Sequence, residues 1–234
     1  MNLVSDWSGR LLTEALTEIP SLVLSFYSFG VMLHKREGDQ VSEYPVDPAQ
    51  VALALAAKVS FDTGLLSDRT LLVRQSGVTK TVVEYRAPQK TGVYLDGSET
   101  ALRVPLPGLL LIRVSSEGKQ PQYQLYAVKR RPVTLREPLY HAPLPNVFGD
   151  GSICWGTVPR VSEAALQGTS LADDWAVLLG SRFGDHAVFG KSRTHPNDIR
   201  QALIALEERQ ARVYPKSDLI PSKTTLAHLL GEEP

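Results

Sequence analysis

Along the first part of the chain, apolar positions recur at two different spacings. Leu11, Leu12, Ala15, Leu16 and Ile19 fall at helical intervals and Pro20 ends the run, which predicts a short helix over Leu3 to Ile19. Leu22, Leu24 and Phe26, then Phe29, Val31 and Leu33, alternate on either side of Gly30 and predict a strand or hairpin. The Ala-rich run Val51 to Val59 predicts a second helix, with Asp47 able to cap it and Pro48 able to take its first position.

From Thr70 the texture changes. Thr70 to Arg74, Lys80 to Arg86, Leu109 to Val114 and Tyr123 to Lys129 are β-branched or aromatic runs separated by turn clusters such as Ser76-Gly77 and Ser116-Glu117-Gly118. They predict about four antiparallel strands. A long irregular stretch, Arg131 to Arg160, follows, rich in Pro, Gly and Asn. Loops of that length inside compact domains usually carry function. Ala165, Leu166, Trp175, Leu178 and Leu179 predict a helix over Ser162 to Gly180, broken near Gly168. Ile199, Leu203, Ile204 and Leu206 predict a clearer amphipathic helix over Asn197 to Val213. The tail from Lys216 to Pro234 is expected to end loosely. The expected fold class is α+β: a helix, then a sheet of about four antiparallel strands, a long loop and C-terminal helices.

Length and composition narrow the class without naming a chemistry. The 234 residues and 25.7 kDa suit one large domain or one domain with extensions. Apolar residues at 43% and charged residues at 21% exclude a disordered, collagenous or coiled-coil chain. Lys plus Arg number 25 and Asp plus Glu 25, so no global field draws DNA, RNA or anionic lipid. Cys154 is the sole cysteine, which excludes an internal disulfide framework and a cysteine-rich zinc site and points to the reducing cytoplasm. The five histidines form no helical His-x-x-x-His pair, so no metal site is expected. Met1 to Arg10 lacks a secretory pattern, and Leu22 to Leu33 is far short of the roughly 20 residues a membrane helix needs. A soluble protein is expected.

Within the long loop lies Leu144-Pro145-Asn146-Val147-Phe148-Gly149-Asp150-Gly151-Ser152-Ile153-Cys154-Trp155-Gly156, a thiol in a Gly-rich segment with the amide of Asn146 eight residues before it. A thiolate is an attacking species, and an amide N–H can stabilise the oxyanion formed when an acyl group leaves the sulfur. The alternatives are plain: a lone cysteine is often buried packing, and Asn is often a turn residue because it tolerates left-handed backbone.

This block resembles the active-site segment of ubiquitin-conjugating enzymes, which reads His-Pro-Asn, a hydrophobic residue, then Gly-x-Ile-Cys. Pro145, Asn146, Val147, Gly151, Ile153 and Cys154 match; Leu144 stands where that family has His, and Trp155 where Leu is common. Val104-Pro105-Leu106-Pro107-Gly108-Leu109 also resembles the family's Pro-bearing approach to its third strand. More narrowly, Arg130-Arg131-Pro132, Leu139 to Val147 and Ser152 to Gly156 are similar to prokaryotic family D of that superfamily, most like protein B of PRTRC systems.

The resemblance implies a UBC-like fold over residues 46–190, an N-terminal helix and strand extension over 1–45, and a C-terminal helix and tail over 191–234. It also implies an acyl carrier that takes a ubiquitin-like protein from an adenylating enzyme as a Cys154 thioester and passes it to an amine. Asn146 would support the oxyanion. The partners implied are the adenylating enzyme, the ubiquitin-like protein, a JAB-type peptidase and a ParB-related protein. Adenylation energy comes from the partner, so no cofactor is expected on this chain. The alternative is a docking module of the same fold that transfers nothing.

Asp185 and His186, 31 and 32 residues after the cysteine, stand about where the resemblance places an acidic residue beside the incoming lysine. A lysine is only about 0.04% neutral at pH 7, so a carboxylate that orients and deprotonates it would help. A Gly184-Asp185 turn is the structural alternative. His141 reads as a loop imidazole or a catalytic one, and Asp173-Asp174 as a cap or exposed helix face. Gly184 to Ser192 resembles a phosphate-binding loop but has five residues between its glycines where four are needed. His195-Pro196-Asn197 reads as a helix start. Lys129-Arg130-Arg131 reads as a solvated strand end.

Overall fold

The computed structural model describes residues 20–56, 63–116, 118–158 and 168–232. The helix expected over Leu3 to Ile19 lies outside them, as do Lys58 and Val59, Ser162 to Gln167, and Glu233-Pro234. The chain divides into two compact units, Met1–Asp62 and Thr63–Pro234.

In the first unit, β1 (Leu22–Tyr27), β2 (Gly30–Glu37) and β3 (Gln40–Val46) form an antiparallel meander. The alternation read in Leu22 to Leu33 is the β1–β2 hairpin, closed where Tyr27 and Phe29 stack at 5.0 Å. His34 of β2 meets Glu43 of β3 across the sheet at 3.2 Å. α1 (Pro48–Ala56) follows, and Asp47 Oδ1 accepts from the Ala49 N–H at 2.9 Å. That is the cap the Asp47-Pro48 pair predicts, since it satisfies an N–H that the first helical turn leaves without a partner.

The second unit contains β4 (Thr70–Ser76), β5 (Thr79–Arg86), β6 (Gln89–Leu95), β7 (Leu102–Leu106), β8 (Gly108–Ser116), β9 (Gln122–Val128) and β10 (Pro138–His141). It continues through α2 (Ala172–Gly180), β11 (Arg182–Phe183), α3 (Ile199–Glu208), a 3-10 turn at Lys216–Asp218, β12 (Pro221–Thr225) and α4 (Leu226–Leu229). The main sheet is antiparallel in the order β12-β10-β9-β8-β5-β4. A smaller sheet has the order β11-β6-β7, with β11 parallel to β6.

The unbroken apolar run at the start of β8 has a physical reason: both faces of the sheet are covered. Leu109 and Leu111 pack with Leu125 and Ala127, and with Trp175 and Leu178 of α2 and Leu203 and Leu206 of α3. Leu110 and Ile112 point to the other side, with Tyr126, Val128, Leu139 and Leu226. α2 is seated by a buried acid, because Glu84 of β5 accepts from the Leu171 N–H at 2.9 Å. A second buried acid corrects half of the reading of Asp173-Asp174 as a cap or exposed face: Asp173 is exposed in the first turn of α2, and Asp174 is not. Asp174 is 1% exposed and bonds Arg113 of β8 at 2.9 Å and the Tyr123 hydroxyl at 2.7 Å.

The expected layout of one helix followed by a four-stranded sheet is overturned. The described residues are mostly β, 40% strand against 17% helix, in three sheets. The four expected strands are present as β4, β5, β8 and β9, but β6 and β7 intervene, β10 and β12 extend the sheet at one edge, and the helix that precedes β4 in sequence falls in the other unit. Gly92, Arg103 and Pro105 interrupt the β6–β7 signal, while β10 and the edge strand β12 are short and Pro-bearing, and their pairing depends on distant partners.

Candidate functional site

The segment from Leu144 to Cys154 is held in shape by its own backbone. Val147 and Ile153 form an antiparallel bridge, the Phe148 N–H donates to the Ser152 carbonyl at 2.8 Å, and the Gly151 N–H to the Phe148 carbonyl at 2.9 Å. Gly151 is required at this bend: its φ is 81°, and a Cβ there would lie 2.5 Å from the Tyr126 ring. The loop is tied to β9 by the Leu125 N–H, which donates to the Gly151 carbonyl at 2.8 Å, and by the Tyr126 hydroxyl, which donates to the Asp150 carbonyl. Burial pushes that phenol up to about 12. Asp150 accepts from the Ser152 hydroxyl and N–H at 2.6 and 2.9 Å, which holds its carboxyl below the usual range.

Asn146 is the hub of the loop. It has left-handed backbone at φ 59°, which Asn tolerates better than most residues. Its carbonyl accepts from the Cys154 N–H at 2.7 Å, and its own N–H donates to the His186 carbonyl at 2.8 Å. The side chain is engaged as well: Oδ1 accepts from the Gly184 N–H at 3.2 Å, and Nδ2 donates to the Arg182 carbonyl at 3.4 Å. The eight-residue spacing therefore does bring Asn146 back to Cys154, through main chain, while the amide reaches across to the segment after α2.

Cys154 is half-buried and free. It lines a cleft of about 480 Å³ with Asn146, Trp155, Asp96, Arg182 and His186 among its walls. Trp155 packs edge-on against Tyr123 at 5.0 Å, which links the cleft to the Tyr123–Asp174–Arg113 cluster. Asp96 arrives on the β6–β7 hairpin that sequence reasoning missed, placed by its N–H donating to the Phe183 carbonyl at 2.8 Å. Its signal was confined to a turn, Asp96-Gly97, which reads as ordinary turn chemistry.

His186 borders the cleft, whereas Asp185 beside it is an exposed neighbour, 4.0 Å from the His186 ring and within electrostatic reach of Arg200. Ala187 next to them is left-handed at φ 52°, so this segment folds sharply where it hands its carbonyl to Asn146. His141 is in β10, half-buried, with its N–H on the Ile220 carbonyl at 3.0 Å, and burial lowers its imidazole. His195-Pro196-Asn197 precedes α3, whose cap is Asp198, accepting from the Arg200 N–H at 2.9 Å.

Lys191 is the largest surprise. It belongs to the segment set aside as a failed phosphate loop, yet it is 3% exposed and its Nζ donates to the carbonyls of both Leu144 and Val147. Burial pushes its amine down to about 7. The Leu144 side chain is packed wholly in the core, so at this position the loop is held from the main chain.

Among the described residues no helix is long and apolar enough to cross a membrane. No curated protein and no solved structure matches the chain. A family model described as prokaryotic E2 family D matches residues 49–222. That span is well over half of the sequence and contains the whole Asn146–Cys154 loop with the segments that brace it, and on that ground the chain belongs to prokaryotic E2 family D.

Proposed function

We propose that Cys154 is an acyl carrier that receives the C-terminus of a ubiquitin-like protein from an adenylating partner as a thioester and yields it to an amine. The observation that carries this reading is the half-buried thiol in a cleft of about 480 Å³, backbone-bonded to Asn146 at 2.7 Å. In loading, the Cys154 thiolate attacks the acyl adenylate carbonyl and AMP leaves. In discharge, an amine attacks the thioester carbonyl, the C–S bond breaks, and the thiolate is restored as the amine loses its proton. An amide carries two N–H bonds, so Asn146 keeps one beyond its bond to Arg182 to offer an oxyanion.

His186 borders the cleft and Asp185 adjoins it, so these two assist the incoming amine; Asp96 adds a carboxylate to the same cleft. The narrower likeness to protein B of PRTRC systems supports partners of the kinds it implies, with a JAB-type peptidase and a ParB-related protein among them.

One observation favours the docking-module reading instead: both ends of the Asn146 amide are already bonded within the loop scaffold, as a purely structural residue's would be. Incubation with the cognate adenylating enzyme, its ubiquitin-like protein and ATP separates the two. The carrier reading requires an adduct that thiols release and that Cys154→Ala lacks. Binding without an adduct, with a verified charged activating enzyme present, leaves the docking module.

A further inference from the structure

The loop that carries Cys154 has a brace that the likeness to conjugating enzymes does not assign. Lys191 lies beyond α2 and β11 in sequence, and its amine reaches into the core to bond the carbonyls of Leu144 and Val147. Asn146 stands between those two carbonyls, and its own carbonyl holds the Cys154 N–H. Any movement of the clamped peptide groups is therefore passed to Asn146 and on to the sulfur-bearing residue.

We propose that Lys191 is the positioning residue of the Asn146–Cys154 loop, acting through the Leu144 and Val147 carbonyls to hold the left-handed bend at Asn146. The inference deepens the acyl-carrier reading, and rests on it for the consequence in catalysis. The brace itself is a matter of geometry.

Three features support it. The left-handed backbone at Asn146 is not self-sustaining, because an L residue there is strained unless its surroundings over-determine it. The Leu144 side chain is committed to the core, leaving its main chain as the point of support. The two carbonyl acceptors also match the two N–H bonds of a neutral amine, and the burial that lowers the Lys191 amine to about 7 makes that form accessible. The clamp thus changes character near neutral pH, between an ammonium that bonds the carbonyls strongly and an amine that bonds them weakly. The titratable groups around it are His141, which feels the Lys191 charge, His186, whose carbonyl holds Asn146, and Asp218, which binds the neighbouring Ser192.

Amide hydrogen exchange on the full chain tests the brace without any partner protein. In Lys191→Met the Asn146 and Cys154 amides should exchange about tenfold faster or more, while Val83 and Leu111 of the main sheet, in strands paired on both sides, keep their parental protection. Unchanged exchange at Asn146 and Cys154 would overturn the inference. Should Lys191→Met not fold, the parental chain decides by NMR. The Asn146 amide resonance should step near pH 7, and the step should survive in both His141→Gln and His186→Gln. A missing step, or one that vanishes with either histidine, sinks the proposal. Because no thioester is read, a failure of the acyl-carrier reading leaves these outcomes standing, and their failure leaves that reading open.

Discussion

Arg113 and Lys191 are both buried in the second unit, yet the protein accommodates them by opposite means. Arg113 is wholly buried and meets the Asp174 carboxylate at 2.9 Å, with Tyr123 on the other carboxylate oxygen and the Gly168 carbonyl at 2.8 Å. Among the described residues, Lys191 has carbonyls and no carboxylate bonded to it. A guanidinium keeps its charge, so burial demands a counter-charge; an amine can give its proton up. The first arrangement fixes α2 against β8 through a buried ion pair. The second ties the thiol loop to the core with a group whose state changes near neutrality.

The largest expected effect comes from breaking the ion pair on one side. Arg113→Met strands a buried carboxylate and should cost about 3 to 5 kcal/mol in urea unfolding, while Arg113→Met with Asp174→Leu should recover most of that loss. A double variant as unstable as the single one would mean that the pair stabilises by more than mutual neutralisation.

Next comes Asn146→Gly, which suits the left-handed backbone and removes only the amide. If that amide supports the oxyanion, single-turnover discharge of a Cys154 thioester to free lysine should slow roughly a hundred- to a thousandfold, with loading retained. Discharge at the parental rate would assign Asn146 to the loop's shape alone.

Lys191 should leave its mark in the pH dependence of stability. Its amine stands at about 7 in the folded chain against a usual 10.5, so between those values the unfolded chain binds a proton that the folded one sheds. Stability from this group therefore rises with pH across that window, and the full cost of burying the ammonium is present below about 7. From pH 7 to 9 the parent should gain on the order of 2 kcal/mol over Lys191→Met in denaturant titrations. Parallel curves would show that the lysine stays charged and is held like Arg113 after all.

The smallest effect is a control outside both regions. Asp198→Ala removes the cap of α3 and should cost about 1 kcal/mol in the same titrations without altering their pH slope above pH 7.

How much of this was legible before folding depends on the range of the interactions. The strands at Thr70–Ser76, Thr79–Arg86, Gly108–Ser116 and Gln122–Val128 announce themselves by local pattern. The β6–β7 hairpin does not, because Gly92 and Pro105 blunt the alternation, and it is the element that carries Asp96 to the cleft. The Asn146 and Cys154 spacing was readable since the loop between them closes on itself through Val147 and Ile153. Asp174 was misread because an acid in a first helical turn looks like a dipole partner until its neighbour across the core is known.

The sequence by itself determined the α+β class, the Asp47 cap before Pro48, and the pairing of a thiol with an amide in one short loop. These follow from φ preferences, caps and spacing, which act over a few residues. Tertiary structure alone decided the three-sheet layout, the ion pair of Arg113 with Asp174 and the clamp of Lys191 on Leu144 and Val147. Lys191 lies 44 and 47 residues from the carbonyls it bonds. Only the closing of the core brings such groups together, and only desolvation there gives the amine its altered acidity.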